Sequence, residues 1–147
     1  MPTVRITKEF HFEGAHALTG YDGKCRHIHG HSYRFYVTVK GEPVNDPCNP
    51  KNGMVLDFSL LKQIVNEQII SLFDHALILS KDAALSSEIA AAYQNVILVD
   101  FPPTCENLVL HFVELIRYKL PENVSLQCIK MYETPSSYVE WMTDDNK

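Results

Sequence analysis

Residues 25–41 read Cys-Arg-His-Ile-His-Gly-His-Ser-Tyr-Arg-Phe-Tyr-Val-Thr-Val-Lys-Gly, so a histidine pair runs directly into an alternating stretch. Between residues 32 and 41 apolar and polar side chains alternate, which predicts a half-buried β-strand. Residues 3–12 alternate in the same way. We therefore expect two strands that pair in antiparallel fashion and are joined by the loop that carries the histidines.

The histidine pair has the spacing of a metal site. Side chains of a strand repeat every second residue, so His29 and His31 would project from one face and could bind the same ion. His16 is the best-placed third ligand, because Glu13-Gly14 suggests a bend that would aim it back towards the pair. Three neutral imidazoles with a fourth position open are typical of a catalytic zinc site. The competing interpretation is chance spacing, since the chain has seven histidines.

Cys25 lies four residues before this pair, between Lys24 and Arg26. These two cations would favour the thiolate, which acts as a base or a nucleophile, and they could also bind a small anionic ligand. The alternative role of Cys25 is that of a small buried apolar residue. The polar surroundings of residues 23–27 speak against that alternative.

Composition predicts a single domain over residues 1–147, because 46% of the residues are hydrophobic and 21% are charged. Neither a membrane-length apolar stretch nor a signal-peptide pattern occurs, so we expect a cytoplasmic protein without a membrane partner. The four cysteines lack paired spacing and are expected to be free thiols. The net charge is −5 and the basic residues are scattered, which excludes nucleic acid from the expected partners and leaves a small molecule.

The remaining chain alternates between helix and strand patterns. Three prolines predict a surface connection over residues 42–53. Asp57 or Ser59 would begin a helix with an apolar stripe, and residues 81–94 suggest a short helix. Further elements are a short apolar strand at 96–99, a second long helix capped by Thr104, a third main strand from Val124 and a fourth over Tyr138 to Met142.

These elements predict an α+β fold, a four-stranded antiparallel sheet with two long helices on one face. Such a sheet has open edges, and several subunits could continue it into a closed barrel. We therefore expect a homo-oligomer.

Five motifs, in order, resemble the 6-pyruvoyltetrahydropterin synthase family and span nearly the whole chain. They are residues 10–16 (Phe-His-Phe-Glu-Gly-Ala-His), Cys25 with His29-Gly30-His31, Phe73-Asp74-His75, residues 103–107 (Pro-Thr-Cys-Glu-Asn) and Tyr132-Glu133-Thr134. The three residues between Cys25 and His29 look like the 6-carboxytetrahydropterin synthase branch, which serves 7-deazaguanine and queuosine synthesis. The resemblance implies the tunnelling fold and an oligomer built from trimers, such as a hexamer.

The resemblance also implies an activity and a set of roles. The reaction would convert 7,8-dihydroneopterin triphosphate to 6-carboxy-5,6,7,8-tetrahydropterin and release acetaldehyde and triphosphate, with Zn²⁺ as cofactor. The implied zinc ligands are His16, His29 and His31, the catalytic residues are Cys25, Asp74 and His75, and the pterin anchor is Glu133. The other expected substrate contacts are Thr104, Glu106, Lys24 and Arg26.

Several alternatives stay open at this stage. Asp74 could simply end the helix, with His75 at the surface, and Glu106 could serve the helix dipole. The scaffold could instead form the pyruvoyl product, or bind zinc and pterin without turnover. A cupin is disfavoured, because residues 34–36 (Arg-Phe-Tyr) stand where that fold needs a glutamate. Cys105 departs from the family pattern, and the segments 42–53 and 81–94 are longer than a minimal enzyme needs.

Overall fold

The computed structural model describes residues 2–147, which form one six-stranded sheet with helices packed on one face. The strands are β1 (Val4–His16), β2 (His29–Gly41), β3 (Ala76–Ser80), β4 (Val96–Val99), β5 (Val124–Thr134) and β6 (Ser137–Met142), in the spatial order β4-β3-β1-β2-β5-β6. The helices are α1 (Phe58–Val65), α2 (Ser71–Phe73), α3 (Ser86–Ala92) and α4 (Cys105–Ile116), with a π-helical turn at Asn66–Ile70 and 3₁₀ turns at Lys24–Arg26 and Thr143–Asn146.

The α+β class is confirmed, but the prediction of a four-stranded antiparallel sheet is wrong. β1, β2, β5 and β6 pair in antiparallel fashion, whereas β3 lies parallel to β1 and β4 lies parallel to β3. The missed strand, Ala76–Ser80, directly follows a helix. It is too short and too evenly apolar for its periodicity to separate it from the end of that helix.

The first strand is longer than its sequence pattern predicts. β1 runs without interruption to His16, and the expected bend at Glu13-Gly14 is absent from it, since both residues stay in register with β2. A Cβ on Gly14 would approach the Phe12 ring to 3.1 Å and the Tyr33 ring to 3.3 Å. The glycine therefore serves close ring packing in an extended strand rather than a turn.

Both predicted helix starts are confirmed by their capping hydrogen bonds. The Asp57 carboxylate accepts from the Ser59 backbone N–H at 2.9 Å, and the Thr104 hydroxyl accepts from the Asn107 backbone N–H at 3.2 Å. The first long helix is not regular, because a π-helical turn separates α1 from α2. Within residues 2–147 no helix combines the length and the apolarity that crossing a membrane requires.

The core is an aromatic cluster between the helices and the central strands. The Phe12 and Tyr33 rings stack across β1 and β2 with centroids 4.6 Å apart. Phe12 also makes edge contacts with Phe35 at 5.9 Å, Phe73 at 6.5 Å and Phe112 at 5.8 Å. Because Phe73 closes α2 and Phe112 lies on α4, one ring connects both helices to the sheet.

Phe12→Ala is expected to lower the free energy of unfolding by about 3–5 kcal/mol, because the ring is almost fully buried and its loss leaves a cavity. Urea denaturation followed by circular dichroism measures this change. The control is Tyr93→Ala, at a tyrosine that is 69% exposed, which should shift stability by no more than about 0.5 kcal/mol. Equal denaturation midpoints for the two variants would show that the ring cluster does not hold the layers together.

Candidate active site

Three histidines meet where β1 ends and β2 begins. His16 pairs directly with His29, and His31 pairs with Gly14, two positions further along the same face. This face is the one that carries Phe12 and Tyr33, so the histidines continue the row of core side chains to the end of the sheet. One nitrogen from each ring lies within 4.8 Å of the other two, and this is the arrangement that a shared metal ion requires.

Backbone carbonyls fix the orientation of two of these rings. His16 Nδ1 lies 2.6 Å from the Pro103 carbonyl oxygen, and His29 Nδ1 lies 2.6 Å from that of His27. A carbonyl oxygen only accepts, so each Nδ1 carries the hydrogen and each neutral ring keeps a lone pair on Nε2. Carbonyl-oriented imidazoles of this kind are the usual ligands of protein metal sites.

The two Nε2 atoms of His16 and His29 face each other at 3.0 Å. Two neutral rings in these tautomers have no hydrogen to share, so the contact is repulsive unless a cation lies between the rings or one ring is protonated. His31 adds a third nitrogen, since its Nε2 is buried and forms no hydrogen bond within residues 2–147, although the Glu133 carboxylate lies 3.3 Å away. The donor set of His16, His29 and His31 therefore fits a bound metal ion.

Burial favours the form of the histidines that binds metal. Desolvation lowers the pKa of His16 below its usual value, although the hydrogen bond to Pro103 and the charge of Glu133 oppose that shift. Desolvation likewise lowers the pKa of His31, again against the charge of Glu133. Neutral imidazoles are metal ligands and imidazolium ions are not, so burial prepares the site for a cation.

Glu133 lies beside the histidines, near the end of β5. Its Oε1 atom is 3.5 Å from His16 Nε2 and 3.3 Å from His31 Nε2. A cavity of about 510 Å³ contains His31, Glu133 and Arg34 in its wall. The carboxylate thus stands at the boundary between the histidine cluster and a space that can hold a small molecule. Its sequence position gave no sign of this contact with the histidines.

Asp74 and His75 form a contact pair directly after α2. His75 has a φ of +62°, and this left-handed turn brings its Nδ1 to 3.0 Å from Asp74 Oδ1. The same Asp74 oxygen accepts from the backbone N–H of Glu13 at 3.0 Å. His75 and His31 line one cavity of about 400 Å³, and His31 also lines the cavity that contains Glu133.

The other predicted residues are not part of the group of donor atoms that the histidines form. Cys25 is half-buried in the 3₁₀ turn, and its backbone carbonyl accepts a hydrogen bond from the N–H of Leu18. Its sulfur is not one of these donor atoms. Lys24 and Arg26 flank it with exposed side chains. Thr104 caps α4, one residue after the carbonyl that orients His16. Glu106 is exposed in the first turn of the same helix.

Cys105 is a core residue. It is 3% exposed, and burial raises the pKa of its thiol to about 12, with smaller contributions from the charges of Glu133 and Glu106. A thiol with this pKa stays protonated near neutral pH. The departure from the family pattern at this position therefore adds no second reactive thiolate.

The sequence and the fold agree with those of known proteins. The family model described as 6-pyruvoyl tetrahydropterin synthase matches residues 5–144. The chain is 37% identical to the 6-carboxy-5,6,7,8-tetrahydropterin synthase of Haemophilus influenzae over 141 residues, which cover 93% of this chain and 97% of that protein. This chain belongs to the 6-pyruvoyl tetrahydropterin synthase family. The resemblance seen in the sequence is confirmed, and this relative carries the name of the predicted branch.

Solved structures support the fold alone, because their sequences are only 24% identical to this one. An uncharacterized protein from Wolinella succinogenes aligns with a TM-score of 0.79 over 97% of this chain and 99% of that chain. The 6-pyruvoyl tetrahydropterin synthase of Caenorhabditis elegans aligns with a TM-score of 0.69 over 97% and 96%. The architecture described above is therefore that of the family.

His29→Ala is expected to abolish stoichiometric metal binding, because it removes one of three nitrogen ligands. Zinc content after loading and dialysis, measured by mass spectrometry, gives the result. His11→Ala is the matched control, since that ring is exposed on the same strand pair and lies outside the cluster. A His29→Ala protein that keeps one tightly bound zinc per chain would disprove the assignment of this ligand.

Proposed function

We propose that this protein converts 7,8-dihydroneopterin triphosphate to 6-carboxy-5,6,7,8-tetrahydropterin with release of acetaldehyde and triphosphate, as a step of 7-deazaguanine and queuosine synthesis. The observation that carries the proposal is the cluster of three histidines beside Glu133, two of them oriented by backbone carbonyls. The names of the relatives supply the branch, and they favour the carboxy product over the pyruvoyl product.

The histidine cluster would hold the zinc ion of the proposed reaction. A zinc ion held by these three imidazoles would polarise substrate oxygens and acidify the neighbouring carbon-bound hydrogens. Zinc fits because all three ligands are nitrogen atoms. Borderline metals such as zinc bind imidazole nitrogens, whereas calcium and magnesium prefer oxygen ligands.

Protein side chains supply the remaining steps of the proposal. Cys25 acts as the general base and removes a proton from the substrate side chain, and Lys24 and Arg26 on either side of it contact the anionic substrate. His75, oriented by Asp74 at 3.0 Å, returns a proton from the other side. The Glu133 carboxylate accepts two hydrogen bonds from the paired N–H groups on the amidine-like edge of the pterin ring.

The proposal includes a homo-oligomer. Within residues 2–147, β4 and β6 each have a sheet partner on one side only. Unpaired strand edges favour pairing with another chain, and copies of this sheet joined edge to edge would form a closed barrel. A trimer-based assembly such as a hexamer, located in the cytoplasm, completes this interpretation.

The activity is tested by incubating the zinc-loaded protein with 7,8-dihydroneopterin triphosphate and identifying the products by mass spectrometry. We expect carboxytetrahydropterin and acetaldehyde, and we expect Cys25→Ala to lower kcat by at least about 100-fold with zinc content unchanged. Cys48→Ala, at an exposed cysteine in the 42–53 connection, is the control and should retain full activity. Near wild-type turnover by Cys25→Ala would show that another group is the base.

The product decides between the two branches. A pyruvoyl product would keep the family and replace the proposed reaction. Absence of any product together with tight pterin binding would make the protein a binding module.

Glu133→Ala is expected to raise KM for the pterin about 10- to 100-fold, because a charge-assisted pair of hydrogen bonds would be lost. Steady-state kinetics with zinc content measured in parallel separates this effect from loss of metal. Glu122→Ala, at an exposed glutamate just before the other end of β5, serves as the control. An unchanged KM would remove Glu133 from the substrate contacts.

A further inference from the structure

Asn95 holds the segment that contains Asp74 and His75. Its side-chain Nδ2 donates to the backbone carbonyl of Asp74 at 3.2 Å and to that of His75 at 2.8 Å. Its own backbone carbonyl accepts from the N–H of Leu77 at 3.1 Å. One residue, located between α3 and β4, thus binds three backbone groups within residues 74–77.

The segment that Asn95 binds has a costly backbone conformation. His75 has a φ of +62°, which is sterically unfavourable for a residue with a side chain and persists only where the surroundings fix it. The His75 N–H donates to the Glu13 carbonyl at 2.6 Å, which fixes one side of the residue. The two hydrogen bonds from Asn95 fix the carbonyls on either side of the His75 Cα.

This conformation is what allows neighbouring residues to interact. In a regular strand, adjacent side chains point to opposite faces, so Asp74 and His75 could not meet. The left-handed turn brings His75 Nδ1 to 3.0 Å from Asp74 Oδ1. With Nδ1 donating to the carboxylate, Nε2 is the nitrogen left to exchange a proton with a substrate.

Asn95 has a side chain whose role can be separated from that of its backbone. Its φ is +56°, a region that asparagine tolerates and that glycine adopts freely. Glycine at this position would therefore keep the turn and remove both amide hydrogen bonds. Aspartate would keep the size of the side chain but would place a carboxylate, which cannot donate, against two carbonyl oxygens.

We propose that Asn95 is a positioning residue, whose amide fixes the carbonyls of Asp74 and His75 so that the carboxylate sets the tautomer and the orientation of the imidazole. The inference rests on the proposed function, in which His75 transfers a proton. Asn95 acts through this pair and does not touch the substrate. Removing its amide lowers the fraction of molecules with a correctly oriented ring, and this is a loss in kcat rather than in binding.

The test compares Asn95→Gly and Asn95→Asp with the wild-type full-length, zinc-loaded protein. We expect kcat to fall about 10- to 100-fold in both variants, since small misplacements of a catalytic group have effects of that size. KM should stay within about twofold, because binding is not involved. Zinc content and the circular dichroism spectrum should stay unchanged. Nitrogen-15 NMR of the imidazoles should show that the Nδ1–H tautomer of His75 loses population.

Leu85→Gly is the matched control. Leu85 also has a positive φ, +62°, and its side chain is 65% exposed. Glycine there changes the backbone freedom in the same way without removing a contact to Asp74 or His75. This variant should keep the wild-type kcat and the wild-type His75 tautomer.

Wild-type kcat and tautomer in Asn95→Gly would overturn the proposal. A loss expressed only as raised KM or lost zinc would also overturn it, because it would show a purely structural role. If the wild-type protein does not turn over the pterin triphosphate, the proposed function fails and the tautomer alone decides. An unchanged His75 tautomer in Asn95→Gly then overturns the positioning role, and a shifted one supports it.

Discussion

The antiparallel pairing of β1 with β2 is the constraint on which both the core and the site depend. A single register places Phe12 opposite Tyr33 and His16 opposite His29. A slip of one residue would move every side chain of a strand to the other face. The ring stacking that stabilises the fold therefore also keeps the three imidazoles together.

The histidine cluster shows how hydrogen bonds made away from a site decide its chemistry. The carbonyls of Pro103 and His27 take the Nδ1 hydrogens, so two lone pairs meet at 3.0 Å. Between two neutral rings this contact opposes folding, and a bound cation makes it favourable. Stability and metal occupancy are thus linked, because an ion that binds only the folded chain shifts the equilibrium towards it.

Sequence patterns predicted the parts of the protein that depend on periodicity or local chemistry. The His29 and His31 pair lies on one strand face, as its spacing indicated, and Asp57 and Thr104 cap their helices. Contacts distant in sequence were not predictable in this way. Three contacts depend on tertiary packing, and no local pattern encodes them. They are the parallel pairing of β3, the approach of Glu133 to the histidines and the hydrogen bonds from Asn95 to the carbonyls of Asp74 and His75.

The π-helical turn at Asn66–Ile70 sets the direction in which the side chains after it point. A π-turn holds about one residue more than an α-turn, and each residue rotates an α-helix by about 100°. If all of these residues adopted regular α-helical geometry instead, the helix would be continuous. Its end would be turned by that angle, which would take Phe73 out of the aromatic cluster and Asp74 away from the backbone of Glu13. A change in helical phase in this segment would therefore disrupt both the aromatic core and the proposed proton-transfer pair.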